Sequence, residues 1–200
     1  MRIEFQVEEP SMEATLIELA PRLVGQAAFK IINYRSKAAL LKKLPDRLRA
    51  YRARLPQEDI KIVVLLDSDS GDCVELKRQL EGFALQAGLR TKSSAEGDIF
   101  DVVNRIVCQE LEAWFFGDAE ALRSAFPRLP KDFERKRRFR NPDSIPNTWE
   151  ALDRLLRQSR CDASGSKIDR ARRIAGHMVP ARNTSPSFRT FLHAVEAMQF

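Results

Sequence analysis

The run IKIVVLL (60–66) holds a single lysine among Ile, Val and Leu, and it ends abruptly at DSDSGD. Alternation of apolar and polar residues marks a strand with one wet face, whereas a continuous β-branched run suits a strand buried on both faces. Such a strand needs a helical layer on each side, so the expected class is α/β with a parallel sheet. The neighbouring segments agree. Ile3, Phe5 and Val7 alternate with polar residues as a strand ending at Glu8, after which Pro10 opens a helix carrying Met12, Leu16, Leu19 and Leu23. AAFKIINY (27–34) reads as a second strand. Ser36 caps a helix with Leu40, Leu44, Leu48, Tyr51 and Leu55 on one face, which Pro45 should kink or split. Asp72 caps a third helix running towards Gly88, and RIVC (105–108) reads as a short strand leading into ELEAWFFGD.

Near residue 126 the pattern changes. FPRLPKDFERKRRFRNPDSIPN is rich in Pro and Arg and has no clean period, which predicts a long loop or irregular helical segment. Three amphipathic helices follow: one with Trp149, Leu152, Leu155 and Leu156 behind an Asn147/Glu150 capping box, one over about 167–178, and one from Pro186. The expected organisation is an α/β core over 1–126 and a basic loop with a helical extension over 127–200 that packs on the core.

Charge follows the same division. Residues 1–120 carry 17 basic and 20 acidic residues, net −3, and residues 121–200 carry 17 and 8, net +9. This pattern suggests an acidic chemical end and a basic binding end. Lys131, Arg135, Lys136, Arg137, Arg138 and Arg140 crowd into one stretch and form a candidate clamp for nucleic-acid backbone phosphates. Three scattered cysteines and two histidines argue against a disulfide framework or a zinc site. With no long apolar run and no secretory signal, the expectation is a soluble, cytoplasmic protein with no membrane partner.

The acidic residues cluster where strands end. In an open α/β sheet the carboxyl edge is where ligands bind. Asp67 and Asp69 follow the buried run, and at positions i and i+2 of an extended segment they point the same way and can share one hard cation. Glu8 and Glu9 end the first strand. Glu13, one turn on, is a further candidate ligand, although an acid there also suits the helix dipole. Glu110 and Glu112 follow the last strand, beside Trp114, Phe115 and Phe116, which read as core. In a doubly wound sheet the first and third strands can be neighbours, bringing these clusters together. A carboxylate-held Mg²⁺ (or Mn²⁺) at that edge could orient water for attack on a phosphodiester. No Gly-rich phosphate loop, GxSxG elbow or Cys–His pairing supports a competing chemistry.

VEEPSMEATL, VVLLDSDSGDC, ELEAWFFGD, NPDSIPN and NTSPSFRTF, in this order, resemble the bacterial family called domain of unknown function 4276. That family looks Toprim-like, related to the catalytic domain shared by topoisomerases, primases and overcoming-lysogenization-defect nucleases. The resemblance implies a Toprim-like sheet, a general acid/base at Glu8 and Mg²⁺ ligands at Asp67 and Asp69. Toprim proteins often have Gly directly after the motif glutamate where this chain has Glu9, so the choice between Glu8 and Glu9 stays open. The resemblance also implies an ABC-type or AAA ATPase partner in loci that look like phage defence. Topoisomerase chemistry needs a catalytic tyrosine and strand-passage domains, and only Tyr34 and Tyr51 are available. The leading expectation is therefore a metal-dependent nuclease subunit acting on DNA or RNA, with a homo-oligomer admitted. The alternative is a non-catalytic subunit that binds nucleic acid or a partner.

Overall fold

The computed structural model describes residues 1–69, 71–97, 99–161 and 165–199, and a four-stranded parallel sheet lies at its centre. Its strands are β1 (Arg2–Val7), β2 (Ala28–Asn33), β3 (Ile60–Asp67) and β4 (Val102–Val107), arranged in the order β2-β1-β3-β4. β1 therefore lies between β2 and β3, with Val7 opposite Asn33 on one side and Leu65 on the other. Where the chain turns from building leftwards to building rightwards, two adjacent strand ends diverge into a crevice. Here that point falls between the carboxyl ends of β1 and β3.

As its composition predicts, β3 is buried along almost its whole length. Val63 and Leu65 face α1 (Pro10–Leu23) and α8 (Pro186–Glu196), together with Ile3, Phe5, Val7, Val103 and Val107. Ile62, Val64 and Leu66 face α2 (Lys37–Arg54) and α3 (Cys73–Gln86), whose Leu40, Leu44, Leu48, Tyr51, Leu80 and Ala84 complete the second layer. The short helices α4 (Glu112–Phe116) and α5 (Ala119–Ala125) join the first layer. So do α6 (Thr148–Gln158) and α7 (Lys167–Ala175), and α7 lies along α1. Residues from both sides of position 126 thus share one apolar core.

Helix α2 runs through Pro45 without a break, so the expected splitting does not occur. Its leucine stripe is held continuously against the sheet, and that packing outweighs one missing hydrogen bond. β4 begins three residues before the expected RIVC (105–108) and ends at Val107, because Asn104 and Arg105 interrupt an apolar pattern that already starts at Val102. Asn104 is nevertheless buried, donating to Glu81 Oε1 at 3.0 Å.

The alternation in β1 has an unexpected outcome. A polar face normally looks to water, but β1 is interior and its polar residues meet α2. Tyr51 donates its hydroxyl to Glu4 Oε2 at 2.5 Å and accepts from Gln6 Nε2 at 2.9 Å, while Tyr34 donates to Gln6 Oε1 at 2.9 Å. Arg2 closes the network with Nε 2.9 Å from Glu4 Oε1. Removing one hydroxyl strands two buried partners. Tyr51→Phe is expected to lower the urea unfolding free energy by about 1–3 kcal/mol, with an unchanged denaturant slope.

Candidate functional site

Successive residues of a strand point to opposite faces, so the carboxylates at the β1–β3 crevice divide into two groups. Glu8 continues the polar parity of β1 towards α2. Asp67 continues the parity of Val63 and Leu65 towards α1. The Asp67 amide donates to Glu8 Oε2 at 3.3 Å and links the two groups.

On the α1 side, Asp67 is 2% exposed and Glu112, the first residue of α4, is 1% exposed. Glu9 precedes α1, and Lys167 enters between these acids from the start of α7. Its Nζ lies 2.9 Å from Glu9 Oε1 and 3.8 Å from Glu112 Oε1. On the α2 side, Asp69 is half exposed and ion-paired with Lys37 at the N-terminus of α2. The strand has ended by this point: Asp69 has φ +50°, so the i, i+2 alignment expected with Asp67 does not apply. Asp69 still acts on Glu8 through space, as do Lys37 and Glu9.

Burial and crowding set the protonation of these acids. Desolvation pushes Glu8 up to about 7; Lys37 opposes that shift, and Asp69 and Glu9 add to it. Burial likewise raises Glu112 to about 7 against the pull of Lys167. Asp67 is held well above the ordinary carboxylate range by burial and then by Glu8, Glu9 and Glu112. Burial alone would lower the Lys167 ammonium, but Glu112, Glu9 and Asp67 together raise it. Two buried oxygens, Asp67 Oδ1 and Glu112 Oε2, have no hydrogen-bond partner. An all-oxygen donor set with unfilled buried acceptors suits a hard divalent cation. Among the described residues, however, no three acidic, His or Cys side chains yet converge closely enough to hold one.

Two expected members lie apart from this cluster. Glu13 accepts from Asn33 Nδ2 at 2.8 Å and, with Pro10 and Arg35, lines a separate cavity of about 500 Å³. Glu110 caps α6, accepting from Thr148 Oγ1 at 3.0 Å and from the Trp149 amide at 2.9 Å. It takes the place of the expected Asn147 cap, because Asn147 has a left-handed backbone with φ +48° and no capping bond. Lys37 and Lys167 are the members that sequence reasoning missed. Neither differs in local pattern from the many other basic residues, and only the fold brings them to the acids.

The distinctive segments of the second half hold Glu112 in place. Trp114, Phe115 and Phe116 are buried as expected, and Trp114 stacks on Phe191 with ring centroids 4.9 Å apart. Asn183 donates to the Trp114 carbonyl at 2.8 Å, and a Cβ at Gly117 would lie 2.1 Å from Asn183 Oδ1, so only glycine fits there. Asp143 accepts from Ser185 Oγ and from the Ser187 amide at the start of α8. ELEAWFFGD, NPDSIPN and NTSPSFRTF therefore form one interlocked support. The profile of a family described as a domain of unknown function (DUF4276) matches residues 7–196 and spans all three. The chain belongs to that family. No curated protein and no solved structure matches it.

In this DUF4276 protein the basic stretch is irregular, as expected, with 3₁₀ turns at Phe133–Arg135 and Arg137–Phe139. Phe133 and Phe139 anchor it in the core, with Phe139 stacked on Phe116 at 5.2 Å. Lys131, Arg135, Lys136, Arg137, Arg138 and Arg140 all remain exposed. No helix among the described residues is long and apolar enough to cross a membrane.

The raised acids define a pH dependence. Between about pH 4.5 and 7 the folded chain keeps protons on Glu8 and Glu112 that the unfolded chain has lost, so stability must fall as pH rises through that window. In chelator-treated protein, Glu112→Gln is expected to flatten the decline in Tm between pH 5 and 8. It should exceed wild-type Tm at pH 8 by a few degrees, each kcal/mol being worth about 2–4 °C at this size.

Proposed function

We propose that this protein is a metal-dependent phosphodiester hydrolase of Toprim-like type, a nuclease subunit acting on DNA or RNA. The observation that carries the reading is the pair of unpartnered, buried carboxylate oxygens on Asp67 and Glu112, set at the topological switch point beside Glu8 and Glu9. Asp67 and Glu112 would hold Mg²⁺ or Mn²⁺, with Glu9 as a further donor. The ion would supply Lewis-acid polarisation of a phosphate oxygen and a more acidic bound water. Glu8, pushed up to about 7, sits near the operating pH and is the group suited to exchange a proton with the attacking water or leaving oxygen. The exposed basic stretch supplies sequence-independent phosphate contacts. Control by an ABC-type or AAA ATPase in an antiphage system rests on the family resemblance alone.

A second reading has an observation of its own. Lys167 already neutralises part of the cluster and, among the described residues, no three donors converge, as befits a non-catalytic subunit that binds nucleic acid through the basic stretch.

Cleavage assays on single- and double-stranded DNA and RNA with Mg²⁺ or Mn²⁺ separate the two. Asp67→Asn should abolish cleavage, and Glu8→Gln should reduce it by about 10²–10⁴-fold. Glu13→Gln should lose far less, and a larger loss at Glu9 would move the proton-transfer role there. Wild-type rates in the Asp67→Asn variant would exclude this crevice as the active site. The basic stretch has its own readout. Replacing Arg135, Arg137 and Arg138 together by Ala should weaken binding evenly across sequences and reduce the log–log salt slope by about 0.9 per lost phosphate contact on duplex DNA.

A further inference from the structure

Lys167 stands in an odd place for a cation. It is the first residue of α7, at the end of a helix where the dipole favours anions. The helix itself is well anchored: Ser166 and Asp169 form a reciprocal capping box, and Ala171, Ile174 and Ala175 are buried against the core. The side chain nevertheless reaches away from solvent to Glu9 and Glu112, with Asp67 close enough to act on it. One monovalent ammonium faces three carboxylates, and it leaves Asp67 Oδ1 and Glu112 Oε2 without a hydrogen bond. The contact at Glu112 Oε1, at 3.8 Å, is too long for a hydrogen bond.

We infer that Lys167 is a tethered counter-ion that holds the carboxylate cluster together in the metal-free protein and gives way when a divalent cation enters. Lysine and metal then compete for the same carboxylate cluster, and affinity for the metal is set partly by the lysine. The inference rests on the metal-dependent reading of the crevice. Its mechanical basis is the four-carbon stem of lysine, which lets the ammonium swing aside while α7 stays in place. The Trp149 ring already flanks the ammonium, its centroid 5.8 Å from Nζ, and the Arg170 guanidinium lies over the same ring at 4.9 Å.

Manganese alone is the probe. Binding of Mn²⁺ to purified full-length protein is followed by loss of the free-ion EPR signal, and Tm is measured after chelation. Lys167→Met keeps the bulk of the stem and removes the charge. It should lower the metal-free Tm at pH 8 and bind Mn²⁺ at least about tenfold more tightly than wild type. The double variant Lys167→Met/Glu112→Gln removes one charge of each sign and should recover the metal-free Tm. Equal Mn²⁺ affinities in wild type and Lys167→Met overturn the competition. A double variant no more stable than Lys167→Met overturns the counter-ion role, since the loss then comes from packing of the stem. Failure of the metal reading looks different: neither wild type nor Lys167→Met binds Mn²⁺ at all. If Lys167→Met does not fold without metal, Lys167→Met/Glu112→Gln is compared with Glu112→Gln alone: tighter Mn²⁺ binding by the double variant is the expected result, and equal affinities overturn the competition.

Discussion

The two-sided burial of β3 is the constraint from which the rest of the structure follows. A strand with no wet face has to pair its backbone on both edges and cover both faces with apolar side chains. Pairing is met by β1 and β4, and coverage by α2 and α3 on one face and by α1, α8 and the shorter helices on the other. Because β1 is then interior as well, Glu4 and Gln6 have no route to water. Glu4 and Gln6 are satisfied by Tyr51, Tyr34 and Arg2, and the same parity carried one step further delivers Glu8 to the crevice.

At that crevice the fold gathers more negative charge than it neutralises. Glu8, Glu9, Asp67 and Glu112 lie along the crevice, with Lys167 beside Glu9 and Glu112, while Lys37 pairs with Asp69 and acts on Glu8. Low dielectric and like-charge crowding favour protons or cations on these groups. A structural core has no need of such an arrangement, since apolar residues of similar volume would cost less. Its cost argues for a role in binding or chemistry, and its position at the switch point is the one where open α/β sheets place their ligands.

The second half of the chain supports this end of the sheet. α7 brings Lys167 by packing along α1, and Asn183, Ser185 and Asp143 tie the α4 turn to the start of α8 so that Glu112 is held inside. The basic stretch is pinned by Phe133 and Phe139 yet leaves its cations in solvent. The segments most distinctive in sequence are therefore largely scaffold, and the acids they support sit on short strand ends.

The amino-acid pattern by itself determined the parallel α/β class, the carboxyl-edge location of the acids, the three C-terminal helices and the aromatic core around Trp114. Each of these rests on local periodicity, on caps such as Ser36 and Asp72, or on the continuous apolar run of β3. It did not determine which acids meet. Glu110 looks like Glu112 in sequence but caps α6, and Glu13 looks like Glu9 but turns to Asn33. Asp69 lies two residues from Asp67, yet its left-handed backbone separates them. Only tertiary packing brought Lys167 across 158 residues to Glu9, because charge pairing in a crevice depends on which helices pack together, and no local spacing encodes that.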